Sequence, residues 1–459
     1  MKKFYDIHFH SLNLSHANLL AFLNRDDIIT QQNVKKALKK AFKWYNIIPA
    51  CTLRLFSKKI KNTLLEQVND QSNIINLLSF MGSSYKDNFL LIEHFLRNKN
   101  ALIENNKLHL NNTTYDKLVI CPLIMDFGMK NQNMENIFYN IPTRKPVHDQ
   151  IVDLLNSINY YYSHEYKLDA ESKKYRIFNS NTNKEDRLLE IYPFMGINTQ
   201  NYSIDAIEKI LNRYFTGFEN DTPEERFQKL HNKMGDFKNS SLEKELNPDY
   251  DFNYLFAGIK VYPPLGFAPW PKDNNEELKK VKLLYKICSE RRIPIITHCS
   301  DGGFKTVKNA QDLSNPGNEW KEVLDNYPDL IVNFAHLGNQ ENSKQWENQI
   351  IDYAKDDSKK VYTDISCMAK DDNYYKKVSD IFSNNPDVED KMLFGTDFVI
   401  NLIWSESYNE YLKAMSDTNH LSDKQKHKLC CSNAEKFLYG GIIDYSSTDK
   451  IDKKVTETI

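Results

Sequence analysis

The sequence predicts an α/β fold in which eight parallel strands alternate with helices and close as a (β/α)8 barrel. Three observations predict it: eight short apolar or β-branched runs, amphipathic helical segments between most of them, and potential ligands where several of the runs end.

The runs are Phe4 to His10, Lys117 to Met125, Leu188 to Gly196, Phe256 to Tyr262, Ile293 to His298, Leu330 to His336, Lys360 to Ser366 and Lys391 to Asp397. The clearest helix spans Asn275 to Arg292, with Leu278, Val281, Leu284, Tyr285 and Cys288 at helical spacing behind an Asp273-x-x-Glu276 capping box. Another carries Trp320, Val323, Leu324 and Tyr327. In such a barrel the chemistry sits at the C-terminal ends of the strands.

Residues 1–10 and 117–440 are expected to form the barrel. Two connections far exceed the usual length of about 2 to 6 residues. Residues 11–116 predict a mainly helical cap after the first strand, with apolar patterns at Leu19, Leu20, Leu23 and at Leu90, Leu91, Phe95. Residues 127–187 predict a second insertion over the mouth, holding Tyr160, Tyr161 and Tyr162, and residues 441–459 read as a frayed polar tail. The basic amphipathic stretch Val34 to Trp44 reads as a solvated helix face.

With 459 residues and 41% hydrophobic content, the chain can bury a large core. Sixty basic and 62 acidic side chains leave a net charge of −2, which gives no field for recruiting nucleic acid. Seven cysteines, odd in number and unevenly placed, fit a reducing compartment, so the expected location is cytoplasmic. No apolar signal segment follows Met1-Lys2-Lys3, and no window approaches the roughly 18 apolar residues of a membrane span. The expected partner is a small-molecule substrate, with homo-oligomerisation left open.

His8 and His10 lie at i and i+2 of the first strand, so both imidazoles leave from one face. That spacing lets a strand grip a metal ion. Lys260, His298, His336 and Asp397 fall at the ends of later strands. Asp6 shares the inward face one layer lower and predicts a supporting hydrogen bond. Cys299 should point outward as a buried structural thiol, whereas Tyr262 faces inward and, with Asp126 and Asp301, is a substrate-binding candidate.

This ordered set resembles the amidohydrolase superfamily of metal-dependent barrel hydrolases, most of all its amidohydrolase-related branch, which also holds non-oxidative decarboxylases and hydratases. The resemblance covers residues 1–10 and 256–440, including Cys431 to Gly440, which is similar to the family's final helix. The insertions match no family pattern. The resemblance implies that His8, His10, His298 and Asp397 are metal ligands, most suited to Zn²⁺, with Mn²⁺ or Fe²⁺ as alternatives. It makes His336 either a ligand to a second ion or a catalytic group. Lys260, in Gly258-Ile-Lys-Val-Tyr-Pro-Pro264, is either carboxylated by CO2 to bridge two ions or a plain barrel lysine. The activity implied is cleavage of an amide, ester or lactone, with Asp397 taking the proton of an activated water and His336 polarising the carbonyl. The alternative is a lyase, a decarboxylase or hydratase of an unsaturated or aromatic carboxylic acid. A related barrel nuclease usually has glutamate where Lys260 stands, and a non-catalytic binding protein would have no use for so complete a ligand set.

Overall fold

In the computed structural model, residues 2–12, 77, 79–99, 102–110, 112–126, 147–180, 186–236, 251–405 and 407–445 are described. The first strand, β1 (Lys3–Phe9), has every residue buried, as a strand packed on both faces requires. A helix, Asn88–Lys99, takes in Leu90, Leu91 and Phe95. It is followed by the antiparallel meander β2 (Ile103–Glu104), β3 (Lys107–Leu110) and β4 (Thr113–Tyr115), strand content that helical periodicity did not anticipate. Next come β5 (Lys117–Pro122), helix Val147–Ser163 and the hairpin β6 (His164–Leu168) and β7 (Tyr175–Asn179). The remaining strands are β8 (Leu189–Ile191), β9 (Phe194–Gly196), β10 (Gly258–Val261), β11 (Ile295–Thr297), β12 (Val332–Phe334), β13 (Val361–Asp364) and β14 (Met392–Leu393).

Parallel pairing gives one sheet of order β1-β5-β8 and another of order β14-β13-β12-β11-β10-β9. The expected single strand from Leu188 to Gly196 is thus two, split at Tyr192-Pro193 because proline has no N–H to give to a ladder. Isolated bridges and a few hydrogen bonds join the sheets on both sides. The parallel bridge Leu123 to Phe194 links the first sheet to β9, and the bridge Phe9 to Phe398, with Ile7 N–H donating to Phe394 O at 3.0 Å, links β1 to the β14 run.

Helices fill the intervals between later strands and bury one apolar face against them. Helix Asn275–Glu290 is capped by Asn274, whose side chain accepts from Glu277 N–H, so the cap lies one residue beyond the expected Asp273. In helix Glu319–Asn326, Trp320 is fully buried against Phe267, Tyr285 and Phe334. Helix Asn433–Tyr439 ends at Gly440, whose φ of +88° suits a residue without a Cβ.

The described part of 11–116 runs from one end of the strands to the other. Tyr85 OH donates to Ser11 O at 3.0 Å and Phe80 packs on Phe398 at the C-terminal ends. Glu93, in contrast, accepts from Leu188 N–H, at the start of β8. The basic stretch Val34 to Trp44 and Leu19, Leu20 and Leu23 lie outside the described residues. Residues 441–445, expected to begin a frayed tail, are instead packed. Ile443 is buried, its N–H donates to Glu435, and the Tyr445 hydroxyl bonds the same carboxylate. An apolar and an aromatic side chain with a buried acceptor to meet them hold that segment down.

Candidate metal centre

Three polar side chains converge at the C-terminal ends of β1 and β14. His8 Nε2 lies 3.4 Å and His10 Nε2 3.3 Å from the same oxygen, Asp397 Oδ1, and all three residues are buried. Alternation along β1 places both rings on one face. Asp397 is held beside them by its own N–H, which donates to His8 O at 2.7 Å, and it adopts a φ of +60°. His336 sits at the same φ, and such left-handed backbone is strained for residues with a Cβ. Close approach is possible because Gly395 has no side chain: a Cβ there would meet His8 Cβ at 2.7 Å and Ser366 Cβ at 3.1 Å.

The protons on these rings can be traced from their partners. His10 Nδ1 lies 3.2 Å from the Leu123 carbonyl, which only accepts, so Nδ1 carries the hydrogen. His8 Nδ1 lies 3.1 Å from Asp364 Oδ2 and donates to it for the same reason. In the neutral rings both Nε2 atoms then present lone pairs to a carboxylate oxygen. His8 Nε2 has no hydrogen-bond partner among the described residues. Three acceptors facing one another in a buried pocket repel unless a cation lies between them. The donor set, two imidazole nitrogens and one carboxylate oxygen, fits a divalent metal ion, with these residues able to hold it.

Electrostatics reinforce that fit. Burial above all pushes His336 down to about 3, and burial together with nearby Lys260 pushes His10 well below its ordinary value. Both stay neutral, the form that binds metal. Burial raises Asp397 to about 6 against the opposing pull of His8 and Lys260. Burial lowers Lys260 to about 8, while Asp364 and Asp397 pull it back up. Its Nζ is buried with no hydrogen-bond partner among the described residues.

His298 and His336 come together rather than joining the first three. His336 Nε2 lies 3.3 Å from His298 Nδ1, and His298 Nε2 lies 3.0 Å from Ser300 Oγ. The Tyr262 ring stands 4.6 Å from His298 between centroids, and its hydroxyl accepts from Phe304 N–H at 2.9 Å. Asp126 is engaged elsewhere: its oxygens take Asn198 N–H at 2.8 Å and the Asn201 amide at 3.1 Å. Asp301 accepts from Glu341 N–H at 2.8 Å and so ties two loops together. Asp6 accepts from Thr396 N–H at 3.0 Å, Thr396 Oγ1 at 2.6 Å and Tyr408 OH at 3.0 Å, and thereby fixes β1 to the run that ends in Asp397. Cys299 is a buried thiol donating to Ser314 O at 3.3 Å, as expected of a structural cysteine.

Sequence reasoning missed Asp364 and Ser366. Asp364 lies within ligand range of His8 and His336, and Ser366 Oγ lies 3.2 Å from His8 Nδ1 and 2.8 Å from His336 Nδ1. A signal was present, since Asp364-x-Ser366 ends the seventh run with the same i, i+2 spacing that marked His8 and His10.

A parallel α/β fold with histidines and carboxylates gathered at its strand ends is an arrangement able to hold a metal ion. Residues 250–439 match the family model described as Amidohydrolase, so this part of the chain is similar to amidohydrolases. No curated protein matches the chain. Among solved structures it is similar to a 2,6-dihydroxybenzoate decarboxylase complexed with 2,6-dihydroxybenzoate, at 10% identity and a TM-score of 0.40, over 95% of this chain and 98% of that one. It is also similar to a dihydroxybenzoic acid decarboxylase from Polaromonas sp. JS666 with bound manganese and 2-nitroresorcinol, at 10% identity and a TM-score of 0.37, over 95% and 96% of the two chains. A third is a probable 2-pyrone-4,6-dicarboxylic acid hydrolase from Acinetobacter baumannii with citric acid bound, at 11% identity and a TM-score of 0.37, over 71% and 84%.

Among the described residues no helix is long and apolar enough to cross a membrane.

Proposed function

We propose that this protein is a metal-dependent hydrolase that cleaves an amide, ester or lactone of a small molecule. The observation that carries the reading is the meeting of His8 Nε2, His10 Nε2 and Asp397 Oδ1 within 3.4 Å in a buried pocket, His8 Nε2 having no hydrogen-bond partner among the described residues. His8, His10 and Asp397 would hold a divalent ion, Zn²⁺ by preference, and the expected participation of His298 would need its ring to turn from Ser300. Bound there, the ion supplies Lewis acidity to a substrate carbonyl and acidifies a water. Asp397, raised to about 6, accepts the water's proton near neutral pH and returns it to the leaving group. Lys260 places a positive charge between Asp364 and Asp397, which balances charge in a one-ion centre. Its lowered pKa also leaves roughly a tenth of it as free amine at pH 7, the form needed for carboxylation in a two-ion centre. His336, neutral with its proton on Nδ1, lies adjacent as an acceptor at Nε2, so the expected carbonyl-polarising role would need the other tautomer.

The frame assigned to this chemistry is a (β/α)8 barrel of residues 1–10 and 117–440, supported by the bridges and hydrogen bonds that link the two sheets. Insertions 11–116 and 127–187 would supply specificity, a role supported by the packing of Phe80 and Tyr85 at the strand ends. The six described cysteines are free thiols, which supports a cytoplasmic setting.

The test is purification without added metal, metal analysis, chelation, and assay of amides, esters, lactones and carboxylic acids before and after restoring Zn²⁺ or Mn²⁺. Hydrolysis that vanishes on chelation and returns with metal is the expected result. Metal-dependent release of CO2, or addition of water to a double bond, would assign the lyase reaction instead. A chain that binds no metal would overturn the proposal.

A further inference from the structure

Asp364 stands at the end of β13, fully buried, and it only receives. Asn333 Nδ2 donates to Oδ2 at 2.6 Å; His336 N–H at 3.0 Å, Ser366 N–H at 3.1 Å and the Ser366 hydroxyl all donate to Oδ1. A hydroxyl has one hydrogen, and Ser366 gives it to Asp364, so toward the histidines its oxygen can only accept. His336 Nδ1, 2.8 Å from that oxygen and 3.4 Å from the Ser366 carbonyl, therefore carries its proton on Nδ1. His8 Nδ1 does the same toward Asp364 Oδ2 and Ser366 Oγ. With the rings neutral, the ordering continues: His298 Nδ1–H donates to His336 Nε2, Ser300 Oγ–H donates to His298 Nε2, and Gly302 N–H donates to Ser300 Oγ at 3.2 Å.

We propose that Asp364, acting directly and through Ser366, is the positioning residue of the centre: it fixes the Nδ1–H tautomer of His8 and His336 and so leaves Nε2 as the lone-pair atom of each ring, that of His8 facing Asp397 and that of His336 facing His298 Nδ1. The inference deepens the metal-dependent reading above and rests on it for its consequence. Carboxylates behind metal-binding histidines raise their basicity and fix ring orientation, and removing one typically lowers metal affinity by roughly 10- to 100-fold. Here one carboxylate serves two histidines, and a serine extends its reach to the second.

The experiment uses the full chain labelled with ¹⁵N-histidine, metal-free, together with Zn²⁺ titration of the same samples. In the parent, the ring nitrogen shifts should show Nδ1–H on His8 and His336. Asp364→Asn, of the same shape but able to donate, should alter the tautomer balance of both rings and weaken Zn²⁺ binding by roughly 10- to 100-fold. Ser366→Ala should shift His336 and leave His8 on Nδ1, since Asp364 still reaches that ring. Cys299→Ala, a buried change outside the network, should alter neither readout. Should Asp364→Asn not fold, Ser366→Ala decides alone. Unchanged ring shifts with Zn²⁺ affinity within about twofold of the parent in a folded variant would overturn the proposal. A parent that takes up no Zn²⁺ would instead defeat the metal-dependent function, while the metal-free shifts would still decide what Asp364 does.

Discussion

The two ends of β1 bury polar side chains in opposite ways. At its start, Lys3 Nζ lies 2.6 Å from Glu190 Oε2 and 4.1 Å above the Phe227 ring, and the Tyr192 hydroxyl donates to the same oxygen at 2.6 Å. Opposite charges meet there, and donors face acceptors. At its finish, two imidazole lone pairs and a carboxylate oxygen meet within 3.4 Å and nothing donates between them. The first arrangement balances its charges by itself, although Glu190 Oε1 has no hydrogen-bond partner among the described residues, and it reads as support for the fold. The second is complete only when something positive is added. Burial of polar groups therefore does not distinguish structure from function in this protein, whereas the sign of what they face does.

That contrast can be broken by mutation, and the largest effect belongs to the open end. Asp397→Asn is expected to keep the fold and much of the metal while losing about 10² to 10⁴ in turnover, because an amide keeps a ligand oxygen but takes no proton. His8→Ala and His10→Ala should lose the metal itself, since each deletes a nitrogen ligand. Metal analysis beside activity separates the two outcomes, and near-parental turnover in Asp397→Asn would move the base to another residue.

At the closed end the effect should fall on stability alone. Burial pushes the Glu190 carboxyl up, but Lys3 and His231 outweigh it and hold it well below the usual range. A carboxyl lowered by folding contributes stability above its unfolded pKa of about 4.3, and that contribution is lost as pH falls through the folded value. Glu190→Gln should therefore cost about 3 to 5 kcal/mol at pH 7, because it removes the negative charge facing buried Lys3, with the gap to the parent narrowing in acid. Urea midpoints at several pH values check the sign, and unchanged turnover per folded molecule checks the assignment of this end to structure.

Smaller effects sharpen the boundary between the ends. Gly395→Ala forces a methyl against His8 Cβ and should cost about 1 to 3 kcal/mol while also weakening metal binding, because the clash displaces a ligand. Thermal melts with metal titration would show both losses, and a stability loss alone would mean that His8 adjusts. Cys299→Ala should cost about 1 kcal/mol and leave turnover unchanged, as suits a thiol spent on Ser314 O. Loss of activity there would return the cysteine to consideration as a nucleophile.

Much of the fold and of the candidate metal centre is legible in the amino-acid order. Each of the eight runs contains a strand of the two parallel sheets, and the run from Leu188 to Gly196 contains two. The convergence of His8, His10 and Asp397 follows from strand alternation together with the tendency of parallel α/β folds to gather their chemistry at the C-terminal ends of strands. The pairing of His298 with His336 is not legible, because the rotation of a ring about its own bonds leaves no trace in spacing. The meander from Ile103 to Tyr115 also escapes, its strands being only two to four residues long and too short to show a period.

The sequence by itself determined where the strands lie, which faces of them are apolar and which residues able to bind metal end them, since these depend on neighbours within a few positions. Only the tertiary structure decided what those residues mean to one another. His8 and Asp364 are 356 positions apart yet share a proton, and the direction of that hydrogen bond sets where the lone pair of His8 points. Local sequence fixes a side chain's face and depth. The state of its protons is fixed by partners that only folding brings within 3 Å or so, because hydrogen bonding falls away beyond that distance.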